Sequence, residues 1–221
     1  MNIRPKCFEL LVSTILFSLM LTLSPQVIAQ TEKGIELFNS GKYHNAEGAL
    51  REALKSNPSD ATVNYYLGLS VLLQNRYKEA FDIFSKVKDA QSNADQRSRS
   101  SFPSAFQIQI ALARAQLGLK QYDEAWKHLE SARTQNPSSS EVYLYRGIYY
   151  LQQEKTSEAI NELEKAISLD AKNAYAYYFA GVANYRGGHS ERAVELLKIF
   201  LKLKPDAPEA TDAKWIIDQL C

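Results

Sequence analysis

A small residue followed twelve positions later by alanine recurs five times along this 221-residue chain: Gly34 with Ala46, Gly68 with Ala80, Ala113 with Ala125, Gly147 with Ala159 and Gly181 with Ala193. Three of the four intervals between successive units are 34 residues, and the fourth is 45, which is 34 plus an insertion of 11. A fixed period of that length points to a stacked-repeat architecture before any other fold, because one such unit has an apolar face that it cannot bury alone.

The first unit shows what the period encodes. Ala46, Ala49, Leu50, Ala53 and Leu54 recur at three and four residues and form a stripe down one helix. Ile35, Leu37 and Phe38 give the preceding segment a helical pattern of its own. Gly41 permits the turn between the two, Tyr43 covers the junction, and Asn57 with Pro58 stops the second helix. The small residues Gly34 and Ala46 let the paired helices approach closely.

This pattern resembles the tetratricopeptide repeat (TPR), a solenoid of helix pairs with a 34-residue period. The units fall at residues 27–60, 61–94, 106–139, 140–173 and 174–207. Tyr43, Tyr77 and Tyr122 stand at the turn tyrosine, and Leu50, Phe84, Leu129, Leu163 and Leu197 at the large packing site. Pro58, Pro137 and Pro205 close their units, whereas Ser92 and Ala171 replace that proline, and Thr156 and Ser190 replace the tyrosine. The resemblance implies an all-α, right-handed α-solenoid of five TPR helix pairs. Residues 208–221, with Ala210, Ala213, Ile216, Ile217 and Leu220 largely on one side, read as a C-terminal capping helix. The polar insertion, residues 95–105, reads as a loop or a prolonged helix end, with a lip over the concave face as the alternative.

The beginning of the chain is of different material. Arg4 and Lys6 precede an apolar run at residues 10–23, followed by Ser24, Pro25 and the stretch Val27, Ile28 and Ala29. That layout is a signal peptide, residues 1–29, cleaved after Ala29, and the run is shorter than the ~20 residues that a spanning helix needs. The expected location is periplasmic or secreted, with a membrane tether only if the segment is retained. Of the two cysteines only Cys221 would survive cleavage, so no internal disulfide is expected; it reads as an idle tail thiol, with an intermolecular disulfide as the alternative.

Composition and residue spacing narrow the function. Lys plus Arg number 26 against 25 Asp plus Glu, so no general attraction to phosphate is built in and no nucleic-acid partner is expected. His44, His128 and His189 lie 84 and 61 residues apart with no cysteine or carboxylate in metal-ligand spacing, and read as solvated surface groups. No catalytic residue, metal site or cofactor is expected. Trp126 reads as packing, Trp215 as part of the cap, and Glu162, Glu164 and Lys165 as a solvated face with local ion pairs.

The resemblance implies that the first helix of each unit lines a concave face where peptides or partner helices lie. By position, Tyr65, Leu69, Leu72, Arg114, Tyr145, Ile148, Tyr178, Tyr185 and Arg186 become the candidate contacts, with Ile110, Leu117, Leu144, Leu151, Phe179 and Val182 beside them. The family's basic clamp for a terminal carboxylate is absent: Thr31, Ile35, Tyr66, Gln107 and Ala111 occupy its places. The expectation is a protein-interaction scaffold that binds a protein or peptide in an aromatic groove. A small-ligand or lipid carrier and an accessory subunit of an envelope enzyme complex are the alternatives.

Overall fold

The computed structural model describes residues 25–94 and 102–220. The apolar run of the leader, both arginines of the insertion and Cys221 lie outside the described residues. Among those described, the chain forms five antiparallel helix pairs and a closing helix, with no strand. The pairs are α1 (Pro25–Asn39) with α2 (Tyr43–Ser56), α3 (Ala61–Leu72) with α4 (Tyr77–Asn93), and α5 (Ala105–Gly118) with α6 (Tyr122–Gln135). They continue with α7 (Ser140–Gln152) and α8 (Thr156–Leu169), α9 (Ala174–Arg186) and α10 (Ser190–Leu203), and end with α11 (Ala210–Leu220). Each second helix packs on the first helix of the next pair, and α10 packs on α11, so the elements form an α-solenoid.

Local chemistry sets the helix ends. Asp60 caps α3 by accepting from the Val63 amide at 2.9 Å, Ser104 and Gln107 form a reciprocal capping box on α5, and Asn173 accepts from the Ala176 amide at 3.2 Å. Where proline closes a unit, the second helix is 14 residues long, as in α2, α6 and α10. With Ser92 in place of proline, α4 runs for 17 residues, nearly one turn further. Phe102 then packs back on the first core and Gln91 donates to the Pro103 carbonyl at 2.7 Å, so the described end of the insertion is a packing element. Ala171 has a different compensation. Asp170 accepts from the Lys172 amide at 2.9 Å, a side-chain turn that ends α8 without proline.

The turns within the pairs share one conformation. Gly41, Asn75, Lys120, Glu154 and Gly188 occupy the same register and all have left-handed backbone, with φ of 76°, 61°, 58°, 59° and 77°. Glycine does this without strain at Gly41 and Gly188, while the other three turns hold a side chain there.

The core has three parts. One joins the first two units and the start of α5, built around Leu50, Leu67, Phe84 and Leu112. Another joins the fourth and fifth units and the cap, around Leu163, Leu197, Phe200 and Ile216. Between them Ile110, Ala113, Leu129, Ala132 and Val142 form a small cluster. At this third-to-fourth joint Trp126 meets Tyr149 and Tyr150 at ring separations of 4.8 and 5.5 Å. The Arg146 guanidinium lies over the indole at 4.5 Å and binds both Glu130 and Glu162. Trp126 is therefore packing, and Glu162 pairs across helices instead of along its own.

Candidate functional site

The first helices of the third, fourth and fifth units and the turns beside them enclose a groove of about 580 Å³. Its apolar wall is Leu117 of α5, Ile148 and Leu151 of α7, and Phe179 and Val182 of α9. Tyr77, Lys120, Tyr122 and Glu154 enter from the turns and helix starts, and Asp212 from α11. One cavity thus runs from the second unit's turn tyrosine to the capping helix.

The helical register explains who lines it. Ile148 and Leu151, and likewise Phe179 and Val182, are three residues apart and share one face of α7 and of α9. Tyr178 adds a fixed polar edge: its hydroxyl donates to Asp212 Oδ2 at 2.6 Å, which ties α9 to the cap. Burial, then the negatively charged acceptor, raises the Tyr178 pKa well above the phenol range. Arg186 is exposed at the rim, and its Nη1 donates to the Leu151 carbonyl at 3.3 Å.

The predicted contacts divide into three groups. Ile148, Tyr178 and Arg186 line the groove. Ile110 and Leu144 are buried, 2% and 6% exposed, Tyr185 is half-buried against the other large cluster, and Leu69 and Leu72 belong to the first core, 9% and 4% exposed. Their burial follows from the close stacking of α3 on its neighbours, which turns these two leucines away from solvent. Tyr65, Arg114 and Tyr145 lie outside this groove; their charges are felt by one another and by Glu141, which the sequence reading missed. The guanidinium of Arg114 stacks over the Tyr145 ring at 5.1 Å. Burial pushes the hydroxyls of Tyr65 and Tyr145 and the carboxyl of Glu141 upward, while Arg114 pulls each of the three back down. The overlooked signal was position: Glu141 lies four residues before Tyr145, one helical turn away on the same face.

The histidines also differ from expectation. His44 and His189 are exposed, but His128 is half-buried and its Nδ1–H donates to Gln109 Oε1 at 2.5 Å. Burial, followed by the nearby Lys88 charge, lowers its pKa to about 4, so the ring is a neutral bridge between α5 and α6. Among the described residues no three His, Cys, Asp or Glu side chains gather where they could hold a metal ion, and no helix is long and apolar enough to cross a membrane.

Family profiles described as Tetratricopeptide repeat match residues 31–95, 106–149 and 144–208. The chain belongs to the tetratricopeptide-repeat family. Among solved structures it is similar to a thermophilic TPR protein of Thermus thermophilus, with a TM-score of 0.70 at 18% identity over 88% of this chain and 98% of that one. A chain of the APC/C hetero-tetramer Cut9-Hcn1 superposes at a TM-score of 0.71 with 14% identity, covering 95% of this chain and 38% of its own. At these identities the likeness is one of fold. The BBSome complex member BBS4 homolog of Drosophila melanogaster is 28% identical over 148 residues, 64% of this chain and 29% of its own length. The chain therefore spans under a third of that curated relative. The TPR fold is in general a scaffold for protein–protein interaction, and here its first helices build the groove.

Proposed function

We propose that this TPR chain is a non-catalytic docking scaffold whose groove receives an extended or helical segment of a partner protein. The observation that carries the reading is the groove presented by Ile148, Phe179 and Val182, backed by the buried Leu117 and Leu151 and edged by tyrosines and by charges of both signs. Aromatic and aliphatic side chains in a concave site supply the contact area for a partner's apolar anchors, and a mixed rim fixes their orientation. The near balance of 26 basic and 25 acidic residues favours a protein partner over nucleic acid.

The leader supports a periplasmic or secreted setting for this work. Cleavage after Ala29 would remove the first residues of α1, where Ile28 is 46% exposed, at little cost to packing. N-terminal sequencing of the protein recovered from its native envelope fraction should begin at Gln30, and recovery of the full chain from the cytosol would reverse the assignment. Cys221 would then be an idle thiol or the one residue able to bridge to a second chain, and non-reducing electrophoresis decides between the two.

Cross-linking in that fraction, followed by recovery of the scaffold, tests the groove. The wild-type chain should retain a discrete partner, and Ile148→Arg, with an unchanged circular dichroism spectrum, should lose it. Equal recovery by both would remove the groove from the reading. A second reading has one observation in its favour: a cavity of about 580 Å³ falls within the usual size of small-molecule sites, so a lipid or other apolar ligand would fit. Native mass spectrometry of freshly purified protein separates the two, because a carrier would show an adduct of fixed mass.

A further inference from the structure

The turn position that follows each first helix has left-handed backbone in all five units, but the residues that fill it are not equivalent. Gly41 and Gly188 adopt it freely, and asparagine, as at Asn75, is a side chain that tolerates it well. Lys120 and Glu154 have no such allowance: a long side chain at φ of 58° and 59° carries a steric cost that glycine would remove. Both residues line the groove, and both are exposed. Among the described residues neither side chain has a hydrogen bond or an ion pair, so no polar contact within the molecule offsets that cost.

Arg186 extends the row. It lines the same groove at the end of α9, and among the described residues its side chain donates only to a backbone carbonyl. Asp212 is already engaged by the Tyr178 hydroxyl. The open charges of the third, fourth and fifth units therefore run plus, minus, plus, and no ion pair joins them. The first helices of these units, α5, α7 and α9, pack on one another in that order, so each charge stands one interhelical step from the next, about 8–10 Å. The row does not neutralise itself across such a step, whereas about three residues of extended chain span it. A uniformly acidic segment would meet Glu154 at the centre of the row, a uniformly basic one would meet both ends, and a lipid tail would leave all three unanswered. Charge complementarity thus selects one occupant for the groove. Resting on the groove reading above, we propose that Lys120, Glu154 and Arg186 set the register of an extended partner segment carrying an acidic, a basic and an acidic residue about three positions apart. Apolar side chains between those charges lie against Ile148, Phe179 and Val182.

A displayed library of random peptides, selected against the full chain, tests the charge order. Wild-type protein should enrich peptides in which an acidic–basic–acidic order accompanies apolar residues. Lys120→Glu should change the acidic residue that faces it to a basic one, and Glu154→Lys should change the central residue to an acidic one. The double variant Lys120→Gly with Glu154→Gly relieves both turns, so it should melt at or above the wild-type temperature. It should nevertheless bind the best peptide about threefold or more weakly, a gap that narrows in about 0.5 M salt. Apolar peptides enriched without a charge order, or an order unchanged by both reversals, overturn the register and leave the groove standing. So does a double-glycine variant that binds as well as the wild type. No enrichment at all, or selection unaffected by Ile148→Arg, overturns the groove and the register together.

Discussion

At the scale of single residues, one substitution should act with opposite signs at two glycines of neighbouring helices. A Cβ added at Gly68 would lie 2.5 Å from Phe84 Cε1, inside a ring that is fully buried, so Gly68→Ala must displace a side chain with nowhere to go. Overpacking of that kind costs about 1–3 kcal/mol and outweighs the ~1 kcal/mol that alanine gains over glycine in a helix. Gly48, exposed on α2, has nothing within 4 Å of its added Cβ, so Gly48→Ala should stabilise by roughly 0.5–1 kcal/mol. Urea unfolding of the two variants reads both shifts, and equal signs would contradict the packing described. The small-then-large pairing at Gly68 and Phe84 was legible in the sequence because the period repeats it. His128 was not legible, since its burial depends on Gln109 reaching across from the paired helix. Its pKa, lowered from 6.5 to about 4, means that the unfolded chain binds more protons between those values. The stability it contributes is complete above about pH 6.5 and falls as the pH drops toward 4, by about 1–2 kcal/mol at pH 5 after allowance for partial exposure. Stability of His128→Gln measured between pH 7.5 and 5 should be flatter than that of the wild type by about this amount.

At the scale of helices, two joints are held by charge as well as by apolar contact. Between the first and second units Glu47 accepts from Gln74 at 2.9 Å and from Arg76 at 2.7 Å, and pairs with Arg51. Burial raises its pKa, but the hydrogen bonds from Gln74, Arg76 and Arg51 outweigh burial and hold the carboxyl below its ordinary value. Between the third and fourth units the centre is Arg146, its side chain 12% exposed, facing Glu162 at 17% and lying on Trp126. Arg146→Met keeps much of the volume but leaves the Glu162 carboxylate without its partner, while Glu130 keeps Arg133, and should cost about 2–4 kcal/mol. Adding Glu162→Gln to Arg146→Met should recover part of that loss. A double-mutant cycle with purely additive values would show that the pair carries no coupling. The sequence disclosed the helices that meet here but not the joint, because helical period fixes a face and leaves open which side chain of the next unit it will meet. The same limit hid the stacking of Arg114 of α5 on Tyr145 of α7.

For the whole molecule, the consequential feature is that the two large apolar clusters lie at opposite ends of the stack, with the small cluster and the aromatic joint between them. Solenoid stability is close to a sum over units and nearest-neighbour interfaces, so damage at one end should remain local. Deleting residues 208–221 tests this. It removes Ala213 and Ile216, 0% and 3% exposed against the terminal cluster, and uncovers the face of α10 that they seal. The loss should be about 2–4 kcal/mol, the amount expected for returning one large and several small side chains to water. Amide hydrogen exchange should therefore accelerate in α9 and α10, while α2 and α3, which pack around Leu50 and Leu67, keep their protection. The same deletion takes Asp212 from Tyr178 and opens the far end of the groove, so peptide affinity should fall together with protection in α9. Uniform acceleration along the chain would mean that the aromatic joint transmits stability as well as an apolar interface does, and that the five units fold as one cooperative body.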